Sequence, residues 1–88
     1  MIGRVFSSHV NAVEDRERFI HENKLDILSI NEKYQTVELR SGNIIGWIVY
    51  RSELDESKIR GIDLEEVYID PGVPEEYVGY INSRVKAR

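Results

Sequence analysis

The sequence predicts a small single-domain α+β fold: a three- to five-stranded, mainly antiparallel sheet packed by an N-terminal and a C-terminal helix. Three observations carry this expectation. The 88 residues suffice for one domain. A composition of 41% hydrophobic and 32% charged residues can build a core and stays far from that of a disordered or membrane-spanning chain. Helical periodicity appears near both ends, while the middle reads as short β-forming runs separated by turn residues.

Each element has its own local signal. Residues 2–6 form a short apolar strand. Ser7, Ser8 and the Asn11-x-x-Glu14 spacing then offer helix starts, and a helix over 8–22 sets Val10, Val13 and Ile20, helped by Phe6 and Phe19, on one face. Asn23 is a candidate left-handed terminator. Two β runs follow at 25–31 and 34–40, separated by Glu32-Lys33, and Ser41-Gly42-Asn43 turns the chain into a third run at 44–50. A three-stranded meander is the simplest arrangement. Val37 and Leu39 alternate with Thr36, Glu38 and Arg40, so that strand is wet on one side. Ile44, Ile45, Trp47, Ile48 and Val49 instead fill both faces of the next strand, as in a central strand covered by helices or by another subunit, and Gly46 admits a close neighbour. Ser52 caps a short helix at 53–59 ended by Gly61; 64–70 is a further strand; Asp70-Pro71-Gly72 turns; and Pro74 opens a last helix striped by Val78, Ile81 and Val85.

Charge is distributed unevenly. Residues 53–76 hold nine acids (Glu53, Asp55, Glu56, Asp63, Glu65, Glu66, Asp70, Glu75, Glu76) against Lys58 and Arg60, a net charge of −7, which leaves +3 for the rest of a −4 chain. Such a belt steers association with a basic partner and repels phosphates, so direct nucleic-acid binding is not expected. Arg84, Lys86 and Arg88 form a small basic tail that suits a helix C-terminus. No apolar run approaches membrane-spanning length, and no secretory leader pattern opens the chain. With no cysteine for disulfides or thiolate sites, the expected home is the cytoplasm.

Catalytic constellations are not assembled by these residues. His9 and His21 are twelve residues apart, about 18 Å along one helix at 1.5 Å per residue, too far to share an ion. The serines lack a nucleophile signature, and the Glu65-Glu66 and Glu75-Glu76 neighbours diverge in either a strand or a helix. The expectation is a non-enzyme with no catalytic residues, no metal and no cofactor.

One segment carries a family resemblance. The order of short strand, Gly-Asn turn, apolar strand, polar helix, Arg-Gly and strand ending in Asp is written here as Thr36-Val37-Glu38-Leu39-Arg40-Ser41-Gly42-Asn43-Ile44-Ile45, then Ile59-Arg60-Gly61 and Val67-Tyr68-Ile69-Asp70. It resembles the Walker B region of terminase-like ATPases of tailed phages, and short phage or prophage proteins that carry only this piece. The resemblance covers about residues 34–70 and implies a magnesium ligand at Asp70. Two departures remove the activity it would imply. No Gly-x-x-x-x-Gly-Lys-Ser phosphate cradle exists, and Pro71 stands where a second acid would activate water. What remains is a phage-type accessory protein.

Two sets of binding residues follow. For a host or phage protein captured by the acidic belt, the candidates are Glu53, Asp55, Glu56, Glu65 and Glu66. That partner is one whose activity the protein would inhibit or redirect, including a defence factor. For an oligomeric sponge that sequesters a small nucleotide-type signal, they are Trp47, Tyr50, Arg51, Arg60, Tyr68, Tyr77, Tyr80 and Arg84, because aromatic rings and guanidinium groups suit a stacked base and its phosphate. A degenerate nucleotide-binding ATPase fragment is the remote third reading. A domain this small has little room for a closed pocket, so a homo-oligomer is expected.

Overall fold

In the computed structural model, which describes residues 1–85, the chain builds an open five-stranded sheet between helices. In chain order the elements are β1 (Ile2–Phe6), α1 (His9–Glu22), β2 (Ile27–Asn31), β3 (Thr36–Leu39), β4 (Ile44–Val49), α2 (Glu56–Arg60), β5 (Glu66–Ile69) and α3 (Glu75–Ser83). Single 3-10 turns at Lys24–Asp26 and Glu53–Asp55 precede β2 and α2. Lys86 and Arg88 of the basic tail lie outside the described residues.

The strand order is β2-β3-β4-β1-β5. The meander is there, as the antiparallel pairs β2/β3 and β3/β4. The N-terminal strand then enters between β4 and β5 and runs parallel to both, with Val5 opposite Ile48 on one side and Ile69 on the other. The α+β class and the two terminal helices hold; the sheet itself is mixed, half of its neighbouring pairs being parallel. Parallel neighbours require crossover connections, and these place helices on both faces.

The core accordingly has two halves. On one face, Ala12, Phe19 and Ile20 of α1 pack on Phe6, Val37, Ile45 and Trp47. On the other, Ile59 of α2, Ile81 of α3, Leu64 and Val73 pack on Val5, Ile48 and Tyr50. Val5, Val37, Tyr50, Ile59, Leu64 and Ile81 are fully buried, each such aliphatic side chain contributing about 1.5–3 kcal/mol. β4 is the central strand with both faces covered. The close neighbour of Gly46 is Met1, whose Cε would lie 2.7 Å from an added Cβ.

Local signals explain most boundaries. Ser8 caps α1 by accepting from the Asn11 N–H at 3.3 Å. Asn23 ends the helix differently from expectation: its φ is −118°, outside the left-handed region, and its side-chain amide donates to the Phe19 carbonyl instead. The expected strand at 25–31 starts later because Lys24–Asp26 tighten into the 3-10 turn, and β2 carries a bulge between Ile27 and Ser29. Gly42 takes φ +95° in the β3–β4 turn, where glycine carries no steric penalty. Gln35, at φ 54°, closes the β2–β3 turn. Among the described residues no helix is long and apolar enough to cross a membrane.

Candidate functional site

The three parallel strands β4, β1 and β5 point their C-terminal ends the same way, and the segments that follow them define the candidate surface. After β4 comes the Arg51–Glu56 segment; after β5, the Asp70–Glu75 turn and α3. The 3-10 turn is fixed by a capping box. Asp55 accepts from the Arg51 N–H at 2.7 Å and the Ser52 N–H at 3.2 Å, while the Asp55 backbone N–H donates back to Ser52. Lys58 adds an ion pair to Asp55 at 3.1 Å and donates to the Val49 carbonyl. Chiefly the Arg51 amide, with Lys58 assisting against burial, holds the Asp55 carboxyl below the usual aspartate range.

This rigid turn presents Glu53 to solvent and leaves Leu54 90% exposed between two acids. The first turn of α3 comes up beside it. The Tyr77 phenol is raised above its ordinary pKa first by desolvation and then by the charges of Glu76, Glu53 and Asp55. Acids far apart in sequence thus act on one half-buried tyrosine, whose ring packs 5.1 Å from that of Tyr50. Glu56 pairs with Arg60 at 3.4 Å. Among the described residues Glu53, Glu75 and Glu76 make no ion pair within the distance of a salt bridge and are exposed.

The five acidic candidates therefore divide. Glu53, Asp55 and Glu56 lie at the C-terminal ends of the parallel strands, with Asp55 committed to the cap. Glu65 and Glu66 are exposed at the start of β5, about one strand length away.

The aromatic and arginine candidates divide by face. Trp47 is buried under α1, its indole N–H donating to Asp15 at 2.8 Å. Tyr68 lies on the same face, 45% exposed, with the Arg4 guanidinium 4.8 Å above its ring. Tyr50, Tyr77 and Tyr80 are on the opposite face, Tyr50 with no exposure and Tyr80 beneath Arg84. Burial first, then the charge of Glu56, raises the Tyr50 phenol. Arg51 and Arg60 are exposed at the acidic turn and helix α2. These eight residues do not converge on one pocket.

Asp70 directly follows β5, and its carboxylate accepts from the Gly72 N–H at 3.0 Å, closing the turn. It also borders a cleft of about 170 Å³ with Phe6, Asn11, Glu14, Asp15, Arg18 and Tyr68. A wider, open depression of about 540 Å³ runs from Asp70 along Pro74 to Val78. Among the described residues no three His, Asp or Glu side chains are placed to hold a metal ion; His9 and His21 are exposed on α1.

Sequence reasoning did not single out Asp15. It accepts from Arg4 Nε at 2.7 Å, Arg4 Nη2 at 3.1 Å and Trp47, and joins α1 to β1 and β4. The signal that could have found it is the chain's single tryptophan, whose buried N–H requires an acceptor. Compared with models of protein families, with curated proteins and with solved structures, the chain matches none.

Proposed function

We propose that the protein is a non-enzymatic binding protein that engages a basic, partly apolar surface of another protein through the Glu53–Glu56 turn and the first turn of α3. In this reading it is a phage-type accessory protein that inhibits or redirects a host factor. One observation carries the proposal: carboxylates from two segments, Glu53 and Glu76, both act on the Tyr77 phenol, and Leu54, next to Glu53 in the turn, is 90% exposed. A lysine- or arginine-bearing surface with an apolar side chain complements that arrangement, the charges guiding approach and Leu54 with Tyr77 supplying desolvated contact. The capping box holds the turn before a partner arrives, so little conformational entropy is lost on binding.

The geometry favours this over sequestration of a nucleotide-type signal. The cleft at the strand ends is bordered by Glu14, Asp15 and Asp70 against Arg18, a charge balance that repels phosphate, and the aromatic candidates face opposite sides of the sheet.

The test is titration calorimetry with a synthetic peptide of alternating lysine and leucine. Glu53→Lys with Glu76→Lys should weaken binding at least about tenfold, as expected for the loss of two charge contacts. Raising the salt concentration should weaken wild-type binding and narrow the gap. Equal affinity of the variant and the wild type at low salt would overturn the assignment.

A further inference from the structure

We infer that the open depression beside the first turn of α3 is a second contact of the same interface and receives one long basic side chain, lysine or arginine, of the bound protein. The inference rests on the acidic binding surface proposed above and extends it around the helix.

The depression, of about 540 Å³, begins where β5 ends and follows the turn at 70–75 into α3. Its lining has two chemistries. Ile69, Val73, Pro74 and Val78 make it apolar, and Pro74 and Val78, four residues apart, fall on one side of the helix start. The charged residues of the lining, Asp70 and Glu75, are both acids. Asp70 already accepts from the Gly72 amide. Glu75 is exposed and, among the described residues, in no salt bridge, so it is the group left to meet a cation.

That combination selects the occupant. A nucleotide or other phosphate compound finds no cation in this lining, and a wholly apolar molecule is not enclosed by so open a surface. A lysine or arginine side chain satisfies both halves. Its aliphatic stem lies on Pro74 and Val78 while its charged head remains in water beside Glu75. The shape is also set in advance, because the Ser7 hydroxyl donates to the Gly72 carbonyl at 3.0 Å and ties the turn to the end of β1.

Position joins the depression to the acidic surface. Glu75 and Val78 line the depression, whereas Glu76 and Tyr77 between them belong to the acidic surface. At about 100° per residue, Glu76 and Val78 point about 200° apart around α3, so the two contacts lie on opposite flanks of one helical turn, about 10 Å from each other. About three residues of an extended chain cover that distance. One segment of the partner therefore reaches both contacts by straddling the start of α3.

Calorimetric titration of the whole chain with the lysine–leucine peptide, together with valine methyl spectra, tests this. The methyl signals of Val73 and Val78 should shift as peptide is added. Val78→Phe fills the depression without altering any charge and should weaken binding at least about fivefold, because more than one methylene of the stem loses its apolar cover. Glu75→Gln, at an exposed position, should weaken it about threefold. Far-UV circular dichroism establishes that both variants are folded. Stationary Val73 and Val78 methyl signals, or wild-type affinity in both variants, in a protein whose binding is still weakened by Glu53→Lys with Glu76→Lys, overturns this inference and leaves the acidic surface in place. Binding that ignores Glu53→Lys with Glu76→Lys removes the acidic surface, and this inference with it.

Discussion

Replacing Asp15 by alanine should cost the fold about 2–3 kcal/mol, and the sum comes from three separable effects. Trp47 is 7% exposed and donates its indole N–H to Asp15; leaving that donor without an acceptor costs about 1–3 kcal/mol. Arg4 loses a two-point charge-assisted contact, but its side chain is 27% exposed and water recovers part of it, so this loss is nearer 1 kcal/mol. The better helix propensity of alanine returns about 0.5 kcal/mol at a position inside α1. For a domain of this size the net change corresponds to a melting temperature lower by about 10–20 °C. Urea unfolding followed by the emission of the single tryptophan measures it, with circular dichroism as the second probe. Asp15→Asn, which keeps one acceptor oxygen, should lose less. In a Trp47→Phe background, where the orphaned donor no longer exists, Asp15→Ala should cost about 1–2 kcal/mol less than in the wild type. An Asp15→Ala protein within about 0.5 kcal/mol of the wild type would refute the argument, since ordinary surface substitutions fall in that range.

Two further outcomes follow from the strand-end turns. Asp55→Ala should destabilise the protein by about 1–2 kcal/mol through loss of the cap. Because the folded-state pKa of Asp55 is depressed, chiefly by the Arg51 amide, its contribution is complete above the ordinary aspartate pKa and is lost as pH falls through the depressed folded value. The acid limb of stability against pH should therefore be shallower in Asp55→Ala; parallel limbs would show that the carboxylate is not held as described. Asp70→Ala removes the bond to the Gly72 amide and should cost about 1 kcal/mol while leaving peptide binding unchanged. Loss of binding by a folded Asp70→Ala protein would give the strand-end carboxylate a functional role.

Much of the fold could be read from local chemistry. Ser8 and Ser52 announce the starts of α1 and the 3-10 turn, Gly42 announces the β3–β4 turn, and the two-sided apolar content of 44–50 announces its central place. What local sequence does not carry is the position of β1. Ile2–Phe6 looks like any short apolar strand, and its insertion between β4 and β5 depends on Val5 being buried against α2 and α3 while Phe6 is buried against α1. That is a property of the packed sheet rather than of the segment.

The candidate site was legible in part for the same reason. Counting charges finds the acidic belt, but a count cannot show that Glu53 and Glu76 both act on Tyr77 while Glu65 and Glu66 lie at the other end of β5, or that Asp55 is bound up in the capping box. Aromatic composition likewise cannot assign Trp47 and Tyr50 to opposite faces. The period of two along β4 does so in principle, since their separation is odd and both are buried.

The most direct test of the central claim is amide chemical-shift mapping of the wild-type protein during titration with the lysine–leucine peptide. The largest shifts should fall on residues 53–56 and 75–77 and vanish in the Glu53→Lys, Glu76→Lys protein. Shifts concentrated instead around Asn11, Glu14 and Tyr68, or along β2, would contradict it.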